Sequence, residues 1–75
     1  MSDYIIPMRS RTEAELGSRA ARSHGIRASV VSVDPSLTRS GCSYGLRVSS
    51  RDAADVIRIL GARGISHGEM IGRGR

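Results

Sequence analysis

The 75-residue chain has no lysine, asparagine, glutamine, phenylalanine or tryptophan, only two tyrosines, and a single cysteine. Each absence closes a class of chemistry. Without lysine there is no Schiff-base or lysine general-base catalysis. Without asparagine or glutamine no side-chain amide can complete an oxyanion hole. One cysteine, Cys42, rules out an intramolecular disulfide and any multi-cysteine zinc site. Two tyrosines leave almost no surface for stacking nucleic-acid bases. No apolar run approaches the ~20 residues needed to span a bilayer, so no membrane contact is expected. The opening Met1-Ser2-Asp3 lacks the basic stretch of a signal peptide, and the cytoplasm is the expected setting.

What is present is ordinary for a globular domain: 39% hydrophobic and 25% charged residues. The length predicts one domain, small enough that folding must bury roughly 60% of the unfolded chain's surface. Twelve arginines against seven acids give a net charge of +5. A polyanion partner is the obvious reading of that charge. The arginines are spread over every segment, however, and arginine without lysine looks like coding bias. Nucleic acid is therefore not the expected partner.

Along the chain one unit recurs. Tyr4, Ser10, Arg11 and Ala14 align with Tyr44, Ser50, Arg51 and Ala54, and each copy closes on Gly-Ile, at Gly25-Ile26 and Gly64-Ile65. Each copy reads as βαβ. Tyr44, Leu46 and Val48 alternate with Gly45, Arg47 and Ser49, the period of a strand with one buried face. Ser50 stands at a helix N-cap position with Asp52 and Asp55 in the first turn. Ala53, Val56, Ile57 and Leu60 make a helical stripe ending at Arg63 and Gly64. In the first copy, Ser10 and Glu13 form a capping box. Its helix offers only Ala14, Leu16, Ala20 and Ala21, which predicts close packing on the sheet. The returning strands are predicted over 26–33 and 65–71.

The order β-α-β-β-α-β predicts an α+β, ferredoxin-like fold: four antiparallel strands with both helices on one face. The first βαβ covers 4–33, a loop 34–43, the second βαβ 44–71 and a tail 72–75. Pro7 conflicts with a central first strand, because it cannot donate to a ladder. Either a bulge sits there or pairing ends at Ile6.

The loop 34–43 is longer than a hairpin needs, and surplus loop length is where function concentrates. Its one reactive group is Cys42, between Gly41 and Ser43, with Arg39 three residues earlier. Small neighbours leave a thiol accessible and a guanidinium favours its ionised form. The alternative reading is a buried, inert cysteine at the start of a strand. His24 and His67 lie in separate segments without metal-ligand spacing, so neither a metal site nor a cofactor is expected. Acyl-phosphate hydrolysis, known on this topology, would want an Arg/Asn pair, and the chain has no asparagine.

These residues also carry a resemblance. An Ala-rich helix ends at Gly25-Ile26, and a strand leads to Pro35. Cys42 follows seven residues later in Ser-Gly-Cys, then come Tyr44-Gly-Leu-Arg-Val48 and an acidic-capped helix ending Gly64-Ile65. The segment 12–71 resembles the small selenium/sulfur carrier-like domains, a family long described only as a domain of unknown function. The resemblance implies that Cys42 carries sulfane sulfur or selenium as a persulfide or perselenide, supported by Arg39, Gly41 and Ser43. It also implies donor and acceptor proteins as partners. Two positions depart from the family pattern: Ser36 stands where arginine usually follows the proline, and Ser43 where glycine often follows the cysteine. A reading from a different class is a non-catalytic interaction module. Its helix-free sheet face, with Ile5, Val31 and Val33, would be covered by a second copy.

Overall fold

The computed structural model describes residues 3–37 and 41–73. Strand β1 (Asp3–Met8) leads into helix α1 (Arg11–Arg22), then strand β2 (Ser29–Ser32) and a single 3-10 turn at Pro35–Leu37. Strand β3 (Tyr44–Ser49), helix α2 (Ala53–Ala62) and strand β4 (Ile71–Arg73) complete the chain. The four strands form one antiparallel sheet in the order β2-β3-β1-β4. With two helices and an open sheet, this is the α+β ferredoxin-like arrangement expected from the duplicated pattern.

The alternation of β1 and β3 decides which sheet face is buried. Tyr4, Ile6 and Met8 on β1 and Tyr44, Leu46 and Val48 on β3 face the helices and join Val56 and Leu60 in one core. Ile6, Met8, Leu46, Val56 and Leu60 are completely covered. α2 buries Ala53, Val56, Ile59 and Leu60, close to the predicted stripe, with Ile57 half-buried.

α1 buries Ala14, Ala20 and Ala21 as predicted, with Gly17 and Ser18 in place of Leu16. Leu16 is 47% exposed. It follows Ala14 by two residues, a rotation of roughly 200° about the axis, so it points away from the sheet. The close packing expected of this helix is made by Gly17. A Cβ there would stand 2.9 Å from Leu46 Cδ1 and 3.0 Å from Leu60 Cδ2, closer than real Cβ contacts.

The two helices start differently. Ser10 has extended backbone and its Oγ accepts from the Glu13 amide at 3.2 Å, an N-cap bond. The reciprocal half of the expected capping box is not made, and Glu13 Oε1 is buried without a hydrogen-bond partner. Replacing it should cost about 1 kcal/mol. Ser10→Ala is expected to lower the urea midpoint without changing the slope of the transition. Ser50 does not cap α2. The Asp52 amide donates to the Ser49 carbonyl at 2.9 Å, a turn that delays the helix to Ala53 and leaves Asp52 at the N-cap without a side-chain bond. Both helices end alike. Gly25 (φ 75°) and Gly64 (φ 69°) take the left-handed region. The next amides, of Ile26 and Ile65, return to the carbonyls of Ala21 and Leu60.

Both returning strands are shorter than predicted. β2 begins only at Ser29, because the Ala28 carbonyl is taken by Ser18 Oγ at 2.6 Å and the chain is tied to α1 at that point. β4 is confined to Ile71–Arg73, so Gly72 and Arg73 belong to the sheet and not to a tail. Pro7 explains the loss of residues 65–70 from that strand. Pairing with β3 runs unbroken from Asp3↔Ser49 to Met8↔Tyr44. On the other side it stops at Ile5↔Ile71 and resumes as one isolated bridge, Met8↔His67. Three steps along β1 there face four along the opposing segment, a bulge. The Gly68 amide donates to the Pro7 carbonyl at 2.8 Å, so the missing Pro7 donor faces the bulged side and costs the central β1–β3 ladder nothing.

On the helix-free face Ile5 is 5% exposed, not open as the two-copy reading required. Gly45, lacking a side chain, lets Ile5 Cγ2 and Val33 Cγ2 close over it, 3.0 and 3.1 Å from where its Cβ would be. Val31 and Val33 beside it stay partly exposed.

Candidate functional site around Cys42

Because β1 and β3 pair antiparallel and end on Met8↔Tyr44, the residues after Met8 and those before Tyr44 meet at one end of the sheet. There a pocket of about 410 Å³ is walled by Arg9, Ser10 and Arg11 on one side and Gly41, Cys42 and Ser43 on the other. The first group is the start of α1, whose leading amides have no intrahelical acceptors and form the positive end of the helix. Gly41 precedes the cysteine with φ 71°, a conformation that favours glycine. The loop's far end is held to β2 by the Val33 amide, which donates to the Ser43 carbonyl at 2.8 Å.

Cys42 is 8% exposed, so its small neighbours do not leave it on the open surface as the sequence suggested. Nor does it belong to the aliphatic core between sheet and helices. It is recessed in the wall of this pocket. Among the described residues no carboxylate lines that pocket. The two nearest along α1 are Glu13 in the first turn, whose Oε1 is buried without a hydrogen-bond partner, and Glu15, paired with Arg11 at 3.3 Å. Arg9, which belongs to no ion pair among the described residues, gives the pocket a cation that suits an anionic group.

Of the expected supporting residues, Gly41 and Ser43 flank Cys42 in the pocket, whereas Arg39 lies outside the described residues. Among the described residues Arg9 and Arg11 border the pocket, which reading the loop alone does not reveal. The signal was available: a split βαβ fold places β1 beside β3, and antiparallel pairing brings Arg9-Ser10-Arg11 against the loop's end. Ser36 serves the loop's own geometry. Its amide and hydroxyl donate to Asp34 Oδ1 at 3.0 and 2.9 Å. These two bonds hold the Asp34 carboxyl below the ordinary aspartate range.

Neither histidine lines this pocket. His24 lies past the end of α1, and His67 sits in the bridge to Met8 with its Nδ1 2.9 Å from the Gly68 carbonyl. Among the described residues no group of three His, Cys, Asp or Glu side chains is placed to hold a metal ion, and no helix is long and apolar enough to cross a membrane.

Comparison with known proteins gives one match. The family model described as "Putative Se/S carrier protein-like" matches residues 3–71. None of the curated proteins and none of the solved structures matches. Matched from the first strand to the start of the last, with its one cysteine in the loop joining the two βαβ units, the chain belongs to the Se/S carrier protein-like family.

Proposed function

We propose that Cys42 is a carrier thiol that accepts sulfane sulfur or selenium from a donor protein and passes it to an acceptor. The observation that carries this reading is the placement of the only cysteine in a pocket bordered by Arg9 and Arg11 at the start of α1. In the loading step the Cys42 thiolate attacks the outer sulfur of a donor persulfide. A new S–S bond forms at Cys42, the donor's S–S bond breaks, and the donor thiolate leaves with the electron pair. Delivery is the same exchange with an acceptor thiolate as nucleophile. Neither step needs an external oxidant, a metal or a cofactor. The persulfide is an anion, and Arg9, Arg11 and the helix end suit that charge. A chain whose one cysteine works as a thiol suits a reducing compartment, the cytoplasm.

The 8% exposure of Cys42 favours a second reading, a scaffold with an inert cysteine. Two measurements separate them. Incubation with a cysteine desulfurase and cysteine, or with selenocysteine, should add one chalcogen atom to the intact chain by mass spectrometry. An unmodified chain that nevertheless alkylates on denaturation supports the scaffold. Independently, the ratio of alkylation rates by iodoacetate and iodoacetamide reports the charge that a reagent meets on the way to the sulfur. Arg9→Gln with Arg11→Gln should lower that ratio about threefold, and added salt should lower the wild-type ratio too. An unchanged ratio would remove the two arginines from the site.

A further inference from the structure

Away from Cys42, charge of one sign concentrates in a groove of about 330 Å³ between the second half of α1 and the start of β2. Arg19 and Arg22 border it from the helix and Arg27 from the loop after Gly25. None of the three belongs to an ion pair among the described residues. The one carboxylate on the groove wall, Glu15, is already engaged by Arg11. The groove runs beside Ser29 and Val30 of β2, which is an outer strand paired only with β3. The free edge of such a strand offers backbone donors and acceptors to an added strand.

We propose that this groove docks an extended acidic segment of a partner protein, whose backbone adds to the β2 edge while its carboxylates meet Arg19, Arg22 and Arg27. Three cations that belong to no ion pair among the described residues, against the single carboxylate of Glu15, supply the charge complementarity. An amide edge matches a peptide backbone, which a phosphodiester chain does not reproduce. Single-stranded nucleic acid would also want exposed rings for stacking, and both tyrosines are half-buried against the core. The inference goes beyond the carrier reading and stands without it, since no step involves Cys42.

Fluorescence anisotropy tests it, using a labelled eight-residue peptide of alternating glutamate and valine. The same peptide with glutamine for glutamate, and an oligouridylate of similar length, are the competing probes. The acidic peptide should bind, and binding should weaken with added salt. The combined variant Arg19→Gln, Arg22→Gln, Arg27→Gln should weaken it about tenfold. Arg51→Gln, outside the groove, should change affinity less than twofold. Equal binding of the neutral peptide, tighter groove-dependent binding of the RNA, or no binding of the acidic peptide overturns the proposal. Circular dichroism of the triple variant, expected to match the parent, excludes loss of fold as the cause.

Discussion

Cys42→Ser is expected to abolish chalcogen loading while leaving the chain folded. The substitution is nearly isosteric and the position lies outside the core cluster, so the stability change should stay within about 1 kcal/mol. The effect on loading is all-or-none for a chemical reason. A serine hydroxyl is not ionised near neutral pH and is a poor nucleophile toward a persulfide sulfur. Because the chain has no other cysteine, no second thiol can take the adduct. Mass spectrometry of the intact variant after desulfurase treatment is the measurement. An adduct on Cys42→Ser at the wild-type level would place the chalcogen elsewhere and end the carrier reading. A wild-type adduct lost in the variant, with circular dichroism unchanged, ties the chemistry to that sulfur.

Leu46→Ala should give the largest loss of stability. Leu46 is completely buried on the central strand β3, in the cluster that holds sheet and helices together. Truncating such a side chain costs about 2–5 kcal/mol, the transfer energy of the lost methyls plus the cavity left behind. A domain of this size is worth only about 4–11 kcal/mol in total at 0.05–0.15 kcal/mol per residue. A central value of about 3 kcal/mol lowers Tm by about 15 °C. Thermal denaturation followed by circular dichroism reads it directly. The hole would open toward Gly17, where an added Cβ now meets Leu46 Cδ1 at 2.9 Å. Gly17→Ala in the Leu46→Ala background should therefore recover part of the loss, through cavity filling and helix propensity together. A loss below about 1 kcal/mol for Leu46→Ala would mean that the helices do not rest on this strand as described.

Much of the fold was legible because its determinants are local. The alternation from Tyr44 to Val48, the Ser10–Glu13 capping box and the glycines at 25 and 64 each depend on a few adjacent residues. The alternation and both glycines appear where the pattern places them, and of the capping box only the Ser10 half does. Leu16 and Ser50 were misjudged for opposite reasons. Leu16 is apolar but lies off the stripe of its helix, and size alone said nothing about direction. Ser50 is a good capping residue, but a backbone turn from Ser49 to Asp52 delays the helix past it.

From the sequence alone came the βαββαβ order, the α+β class, the apolar faces of β3 and α2, and Cys42 as the only sulfur nucleophile. These follow from spacing and residue type, which neighbouring residues settle among themselves. The tertiary structure alone decided where Pro7 is tolerated, how far residues 65–70 pair, and what surrounds the cysteine. Each of those depends on which strand lies beside which. Only the β1–β3 pairing carries Arg9, Ser10 and Arg11 to Cys42, across about thirty residues of intervening chain.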